Sequence, residues 1–236
     1  MRKWMLLVAL SIFGAAQVKA SPCTMETADL YVALGATGCT IGSWTLDDFK
    51  VSNLTGVGPQ ANQLEINPLL GGGAGFSATS LVPWNSSDLT ADVELQYVIS
   101  FAPGITSIFQ SLTGVIGPGG FDNITDDYCP GGTTVPPAAG PMYCTPTSGT
   151  ISTNLLATGT ISNSNTFATT VTSVAVLKDV SANGAALDTV TSFTNCFNGT
   201  CSNSQAPPVP EPSALLMLGS GLLGLTLLSV RKRRRV

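Results

Sequence analysis

Apolar and polar residues alternate most regularly between Ala91 and Phe101. Val93, Leu95, Tyr97, Ile99 and Phe101 share one face, and Asp92, Glu94, Gln96 and Ser100 take most of the other. A period of two predicts a strand half-buried against a core. Shorter runs of the same kind fall at Gly42–Asn53 (around Phe49 and Val51), Gln63–Ile66, Gly75–Ser80, Ser107–Ile116, Thr170–Asp179 and Ala186–Phe193. Asn183-Gly184 lies between the last two runs and predicts a type I′ hairpin turn, because both residues tolerate positive φ. Glycine and proline punctuate the chain throughout, and no long stretch has helical periodicity. Short strands at this spacing predict an all-β fold, a single β-sandwich or jelly-roll-like domain over residues 21–205.

The two ends break this pattern. Met1-Arg2-Lys3 precedes an apolar run from Trp4 to Ala16, and Val18-Lys19-Ala20 offers modest side chains ahead of a cut. Residues 1–20 therefore read as a signal peptide cleaved between Ala20 and Ser21, with cleavage after Ala16 as the alternative. Near the other end, residues 206–213 form a proline-rich linker that cannot propagate a helix. Residues 214–230 carry no charge and would reach about 25 Å as a helix, enough for a bilayer core. Residues 231–236 are a basic tail, which the positive-inside rule keeps in the cytoplasm, with residues 21–210 across the membrane.

Charge sharpens the partition. Residues 21–210 hold two lysines, Lys50 and Lys178, against thirteen acids. The remaining basic residues sit in the two terminal segments, and the 236-residue chain has no histidine. Ser-His-Asp and Cys-His catalysis and His-ligated zinc are thereby excluded. An acidic middle also argues against nucleic acid, whose phosphates need Lys and Arg.

Val209-Pro210-Glu211-Pro212, the glycine-containing apolar stretch with Gly219, Gly221 and Gly224, and Arg231-Lys232-Arg233-Arg234-Arg235 together resemble the PEP-CTERM sorting signal of Gram-negative bacteria. The resemblance implies recognition and cleavage by exosortase, a membrane-embedded transpeptidase-like cysteine protease. It also implies transient anchoring in the inner membrane through the C-terminal helix, a final place at the cell surface or in the extracellular matrix, and association with exopolysaccharide or biofilm. Residues from Cys23 through Tyr31–Gly42 to Phe49, with Leu112-Thr113-Gly114 and Leu177–Val180 further on, resemble a recurring extracellular domain of PEP-CTERM proteins. That resemblance implies an exported β-rich domain and transfers no catalytic residue.

Six cysteines in an exported chain predict disulfides. Of the 15 possible pairings, the sequence neighbours Cys23/Cys39, Cys129/Cys144 and Cys196/Cys201 are the expected ones. Closing the first two loops would each contribute roughly 3 kcal/mol.

Other constellations are weaker. Asp47-Asp48, Asp88 with Asp92 and Glu94, and Asp122-Asn123 with Asp126-Asp127 supply oxygen ligands of the kind calcium takes, without an Asp-x-Asp-x-Asp-Gly loop. No pair of acids is singled out for glycoside hydrolysis. Gly71-Gly72-Gly73-Ala74-Gly75 lacks the Lys-Ser/Thr ending of a phosphate loop and reads as a turn before Phe76. The expected class is therefore a non-enzymatic surface protein that needs no cofactor. The alternative is an envelope-anchored carbohydrate-binding or hydrolytic protein using Trp44, Trp84 and the acidic turns, with calcium.

Overall fold

The computed structural model describes residues 20–53, 58–82, 89–135, 143–145, 149–184 and 189–201. The signal segment, Trp84, the linker, the apolar stretch 214–230 and the basic tail lie outside them. Among the described residues no helix is long and apolar enough to cross a membrane.

The chain opens with β1 (Ser21–Pro22), β2 (Glu26–Thr27) and one short helix, α1 (Ala28–Leu34). Then come β3 (Cys39–Ile41), β4 (Trp44–Asn53), β5 (Leu64–Gly71) and β6 (Gly73–Ser80). Strand β7 (Leu89–Val115) is 27 residues long and is followed by β8 (Phe121–Pro130), β9 (Thr133–Val135), β10 (Tyr143–Thr145) and β11 (Gly149–Leu155). A second long strand, β12 (Gly159–Gly184), and β13 (Thr189–Phe197) complete the fold. The expected all-β domain is present. Helix α1 has only seven residues, too few to leave a readable 3.6-residue period.

Eleven strands belong to one continuously hydrogen-bonded sheet rather than two. The sheet curls because β7 and β12 each run through two neighbourhoods. The first half of β7 lies between β4 and the second half of β12, and its second half lies between the first half of β12 and β13. At the corner the two strands advance unequally. From Thr166 to Val171 the partner moves only from Ser107 to Ile105, and from Val171 to Ser173 it moves from Ile105 to Ser100. Such irregularities increase local twist and bend a strand.

The sequence supplies the bend at Pro103-Gly104. Gly104 has φ +113, and a Cβ there would come within 2.2 Å of the Thr170 side chain. Asn198 braces the bend by accepting from the Thr106 backbone N–H at 2.6 Å and donating to the Gly104 carbonyl at 2.8 Å. The separate strands expected at Ala91–Phe101 and Ser107–Ile116 are thus one strand turned through a corner.

The concave side is the core. Val93, Leu95, Tyr97 and Ile99 are fully buried, as their alternation predicted. Phe49, Phe76 and Phe197 surround Tyr97, with ring centroids 5.9, 5.0 and 6.5 Å away. Phe49 and Phe76 also meet edge to face at 5.7 Å. The glycine run closes the β5–β6 hairpin, as expected of a turn. Gly75 does more: a Cβ there would stand 1.9 Å from the Asn195 carbonyl oxygen on β13, so only glycine allows that approach.

One expectation is corrected. Asn183-Gly184 does not join a hairpin, because β13 pairs with β6 and β7 and not with β12. Strand β12 ends beside Thr90 and Leu89 of β7. The two runs lie on opposite layers of the curl, which overrides the local turn preference.

Candidate functional site

The inward faces of β8, β12 and β13 bring together the charged and polar groups of the interior. In β12, Val174, Val176, Val180 and Ala182 are buried on the same face as Lys178, which is itself fully buried. Directly opposite in register on β8 stands Asp126, also fully buried. Lys178 Nζ lies 2.5 Å from Asp126 Oδ1. The second oxygen, Oδ2, accepts from Asn195 Nδ2 on β13 at 2.7 Å. Asn195 Oδ1 in turn accepts from the Tyr97 hydroxyl at 2.5 Å, and its Nδ2 also donates to the Phe109 carbonyl at 3.3 Å. The Phe193 ring covers the ammonium, 5.7 Å from Nζ to centroid.

Low polarity around this cluster favours neutral forms. Burial raises the Asp126 carboxyl above its ordinary range, against the opposing pull of Lys178. Burial lowers the Lys178 ammonium, against the opposing pull of Asp126. Burial also holds the Tyr97 phenol well above its ordinary value, with Asp126 adding to it. Nearby, buried Gln110 donates through Nε2 to the Ile124 and Ile151 carbonyls, each at 3.3 Å, and to the Thr153 hydroxyl at 2.9 Å. These polar groups tie the two layers together at named points, a specificity that apolar packing alone lacks.

Along the chain Asp126-Asp127 stand as one acidic cluster, and Lys178 has no evident role. Strand geometry separates the two acids, since neighbours point to opposite faces. A single lysine at the inward parity of a valine-rich strand was the signal available for the interior pair.

The convex face of the sheet carries a different set. Asp92 and Glu94 from β7, Asp179 from β12 and Asp127 from β8 share its parity, and Asp179 is directly opposite Glu94. Burial, then a hydrogen bond with Asp92 and the negative charges of Asp92 and Asp127, push the Asp179 carboxyl up to about 7. Burial and Asp48 push Asp47 up to about 6. Among the described residues no three acidic or cysteine side chains are gathered closely enough to hold a metal ion.

A pH dependence follows. A carboxyl whose folded pKa is raised binds its proton more tightly in the native state. Its contribution to stability is present in acid and lost as pH rises through the folded value. The thermal midpoint should therefore be higher at about pH 5 than at about pH 8, and Asp179→Asn should reduce that difference. Parallel melting curves for the two proteins across this range would check it.

Trp44 is not a sugar platform. It is only 5% exposed, and its ring stacks on Phe101 at 4.0 Å with a 5° interplanar angle. Both faces a sugar would use are thereby committed to packing or closed to solvent. Its expected companion Trp84 lies outside the described residues, as does Asp88.

Two of the expected disulfides are present. Cys23–Cys39 ties the N-terminal segment to β3, and Cys196–Cys201 ties the end of β13 to the residues after it. Cys129 is buried and disulfide-bonded; the Cys144 side chain lies outside those described. Ser21 begins β1, which runs parallel to β3 and pairs at Cys39. A cavity of about 320 Å³ lies beside it, lined among others by Ser21, Glu26, Leu30, Tyr31 and Cys39. Nothing in the sequence pattern marked this cavity. Val209 to Pro212 and Arg231 to Arg235 lie outside the described residues.

The described residues thus define a disulfide-braced, curled β-domain with an ionic pair sealed in its interior. Residues 208–235 match the PEP-CTERM protein-sorting motif, so the chain is a PEP-CTERM motif-bearing protein. That motif implies processing by exosortase, export and membrane transit. No curated protein matches the chain. Among solved structures it is similar to TmCBM61 in complex with beta-1,4-galactotriose, at 12% identity and TM-score 0.32, over 62% of this chain and 86% of that one. It is also similar to the enzymatically active domain of Bacteriophage CBA120 tailspike protein 4, at 12% identity and TM-score 0.25, over 67% and 19%. A third is the family 11 carbohydrate-binding module from Clostridium thermocellum in complex with a beta-1,3-1,4-mixed-linked tetrasaccharide, at 10% identity and TM-score 0.21, over 67% and 88%. Likenesses this distant transfer no ligand.

Proposed function

We propose that this chain is the precursor of a non-enzymatic surface or extracellular-matrix protein, cut by exosortase near Pro210-Glu211-Pro212 and deployed alongside exopolysaccharide. The sorting motif at residues 208–235 carries the reading. In this account the apolar stretch and the basic cluster stop translocation, so that the bond to be cut is held at the outer face of the inner membrane. Two features of the domain support a life outside the cytoplasm. Cys23–Cys39 and Cys196–Cys201 are oxidised, as an oxidising compartment allows. The strongly acidic balance of residues 21–210 favours solubility without packing partners. A curled, mostly β domain needs no site to serve as a surface module.

Replacing Pro210, Glu211 and Pro212 together with alanine in the producing strain tests the reading. The variant should remain in the membrane fraction with its Arg231–Arg235 cluster attached, while the wild type is released. Release of the variant at the wild-type level would defeat it.

A further inference from the structure

The interior pair has the arrangement of two reactants. Lys178 Nζ and Asp126 Oδ1 are 2.5 Å apart on side chains that face each other across adjacent antiparallel strands. Both are fully buried, so no bulk water competes for the carboxyl carbon. The other carboxyl oxygen, Oδ2, is held by Asn195 Nδ2, and Asn195 is itself held by the Tyr97 hydroxyl and the Phe109 carbonyl. A wall formed by Phe193 completes the enclosure.

We propose that Lys178 and Asp126 become joined by an amide bond between Nζ and Cγ, an internal cross-link between β12 and β8.

The step balances without a co-reactant. Proton transfer from the ammonium to Oδ1 gives an amine and a carboxylic acid, the forms that burial favours in each group. The amine lone pair attacks Cγ. Negative charge develops on Oδ2, where the Asn195 N–H already points, as a donor for a tetrahedral intermediate should. The Cγ–Oδ1 bond then breaks, Oδ1 leaves as water with a second proton from Nζ, and Oδ2 becomes the amide oxygen. Holding the amine beside the carboxyl makes the step intramolecular, which lowers the entropic part of its barrier. The product also replaces two buried charges, each of which carries a desolvation penalty, with a neutral group. Asn195 acts here as the oxyanion donor, and Tyr97 is a positioning residue.

Such a bond would suit an exported domain, because it fastens the middle of the curled sheet covalently where refolding assistance is absent. It stands independently of how the C-terminus is processed.

The sequence makes the test unusually clean, since Lys178 is the only lysine or arginine between Lys50 and Arg231. The full-length protein is purified, denatured, reduced, alkylated and digested with trypsin. The cross-linked chain resists cleavage after Lys178 even when unfolded. A second digestion at acidic residues then yields a branched peptide pair containing Lys178 and Asp126, lighter than the sum of its parts by one water. Lys178→Arg should restore cleavage at that position in the same digest. Complete cleavage of the wild type after Lys178, with Asp126 recovered in a linear peptide of unmodified mass, would overturn the proposal.

Discussion

Lys178→Met is expected to destabilise the domain by at least about 3–5 kcal/mol, because it leaves Asp126 buried without the partner that holds it as an ion pair or, once joined, as an amide. That corresponds to a shift of roughly two to three and a half powers of ten in the folding equilibrium, at about 1.4 kcal/mol per tenfold. The reason is the surroundings of Asp126. Without Lys178 its carboxyl keeps the Asn195 N–H at 2.7 Å but loses its only cationic partner among the described residues, at a fully buried position. Asp126→Leu should cost a comparable amount by stranding the ammonium beside the Phe193 ring. Combining the two substitutions removes both desolvation penalties, so the double variant should be more stable than either single one. Urea unfolding of the four proteins would show this. Single variants within about 1 kcal/mol of wild type, or a double variant weaker than both, would contradict the account of the pair.

The second large effect is expected at Phe76. Its ring is fully buried on β6 and meets Tyr97 and Phe49 edge to face, at 5.0 and 5.7 Å. Tyr97 sits in the first half of β7, so this contact fastens the two layers of the curl to one another. Phe76→Ala should cost about 3–5 kcal/mol, through lost burial and the cavity left behind. Phe76→Leu, which keeps most of the volume, should cost less than about 1.5 kcal/mol. Denaturant midpoints with unchanged slopes would establish both as losses of stability. Equal effects from the two variants would mean that the ring does not fill this space.

What could be read from the chain follows the physics of each signal. The alternation from Val93 to Ile99 was legible because one face of that strand is wholly apolar and the other largely polar. The sorting segment was legible because neither core packing nor solubility calls for a proline motif, an apolar stretch and a basic cluster in that order. Cys23–Cys39 and Cys196–Cys201 were reached from spacing alone. The first half of β12 was not legible, since Thr160, Ser162, Asn163, Ser164 and Asn165 are exposed on an edge and leave no apolar rhythm. Nor was the union of two runs into β7, because Pro103-Gly104 marks a break in a sequence and only a bend in the sheet. Trp44 could not be placed from the chain for a related reason: a tryptophan near acidic turns looks the same whether it faces solvent or Phe101. The interior pair required knowing which strands are neighbours, and Asp126 and Lys178 are 52 residues apart.

Cleavage directed by the segment after the β-domain is the central claim, and one measurement addresses it most directly. The C-terminal peptide of the released protein is identified by mass spectrometry in the producing strain, with its exosortase intact and deleted. The account predicts a terminus in or close to Val209-Pro210-Glu211-Pro212 in the intact strain, and a membrane-retained chain ending at Val236 in the deleted one. A released protein that still ends at Val236, or the same shortened terminus in both strains, would contradict it.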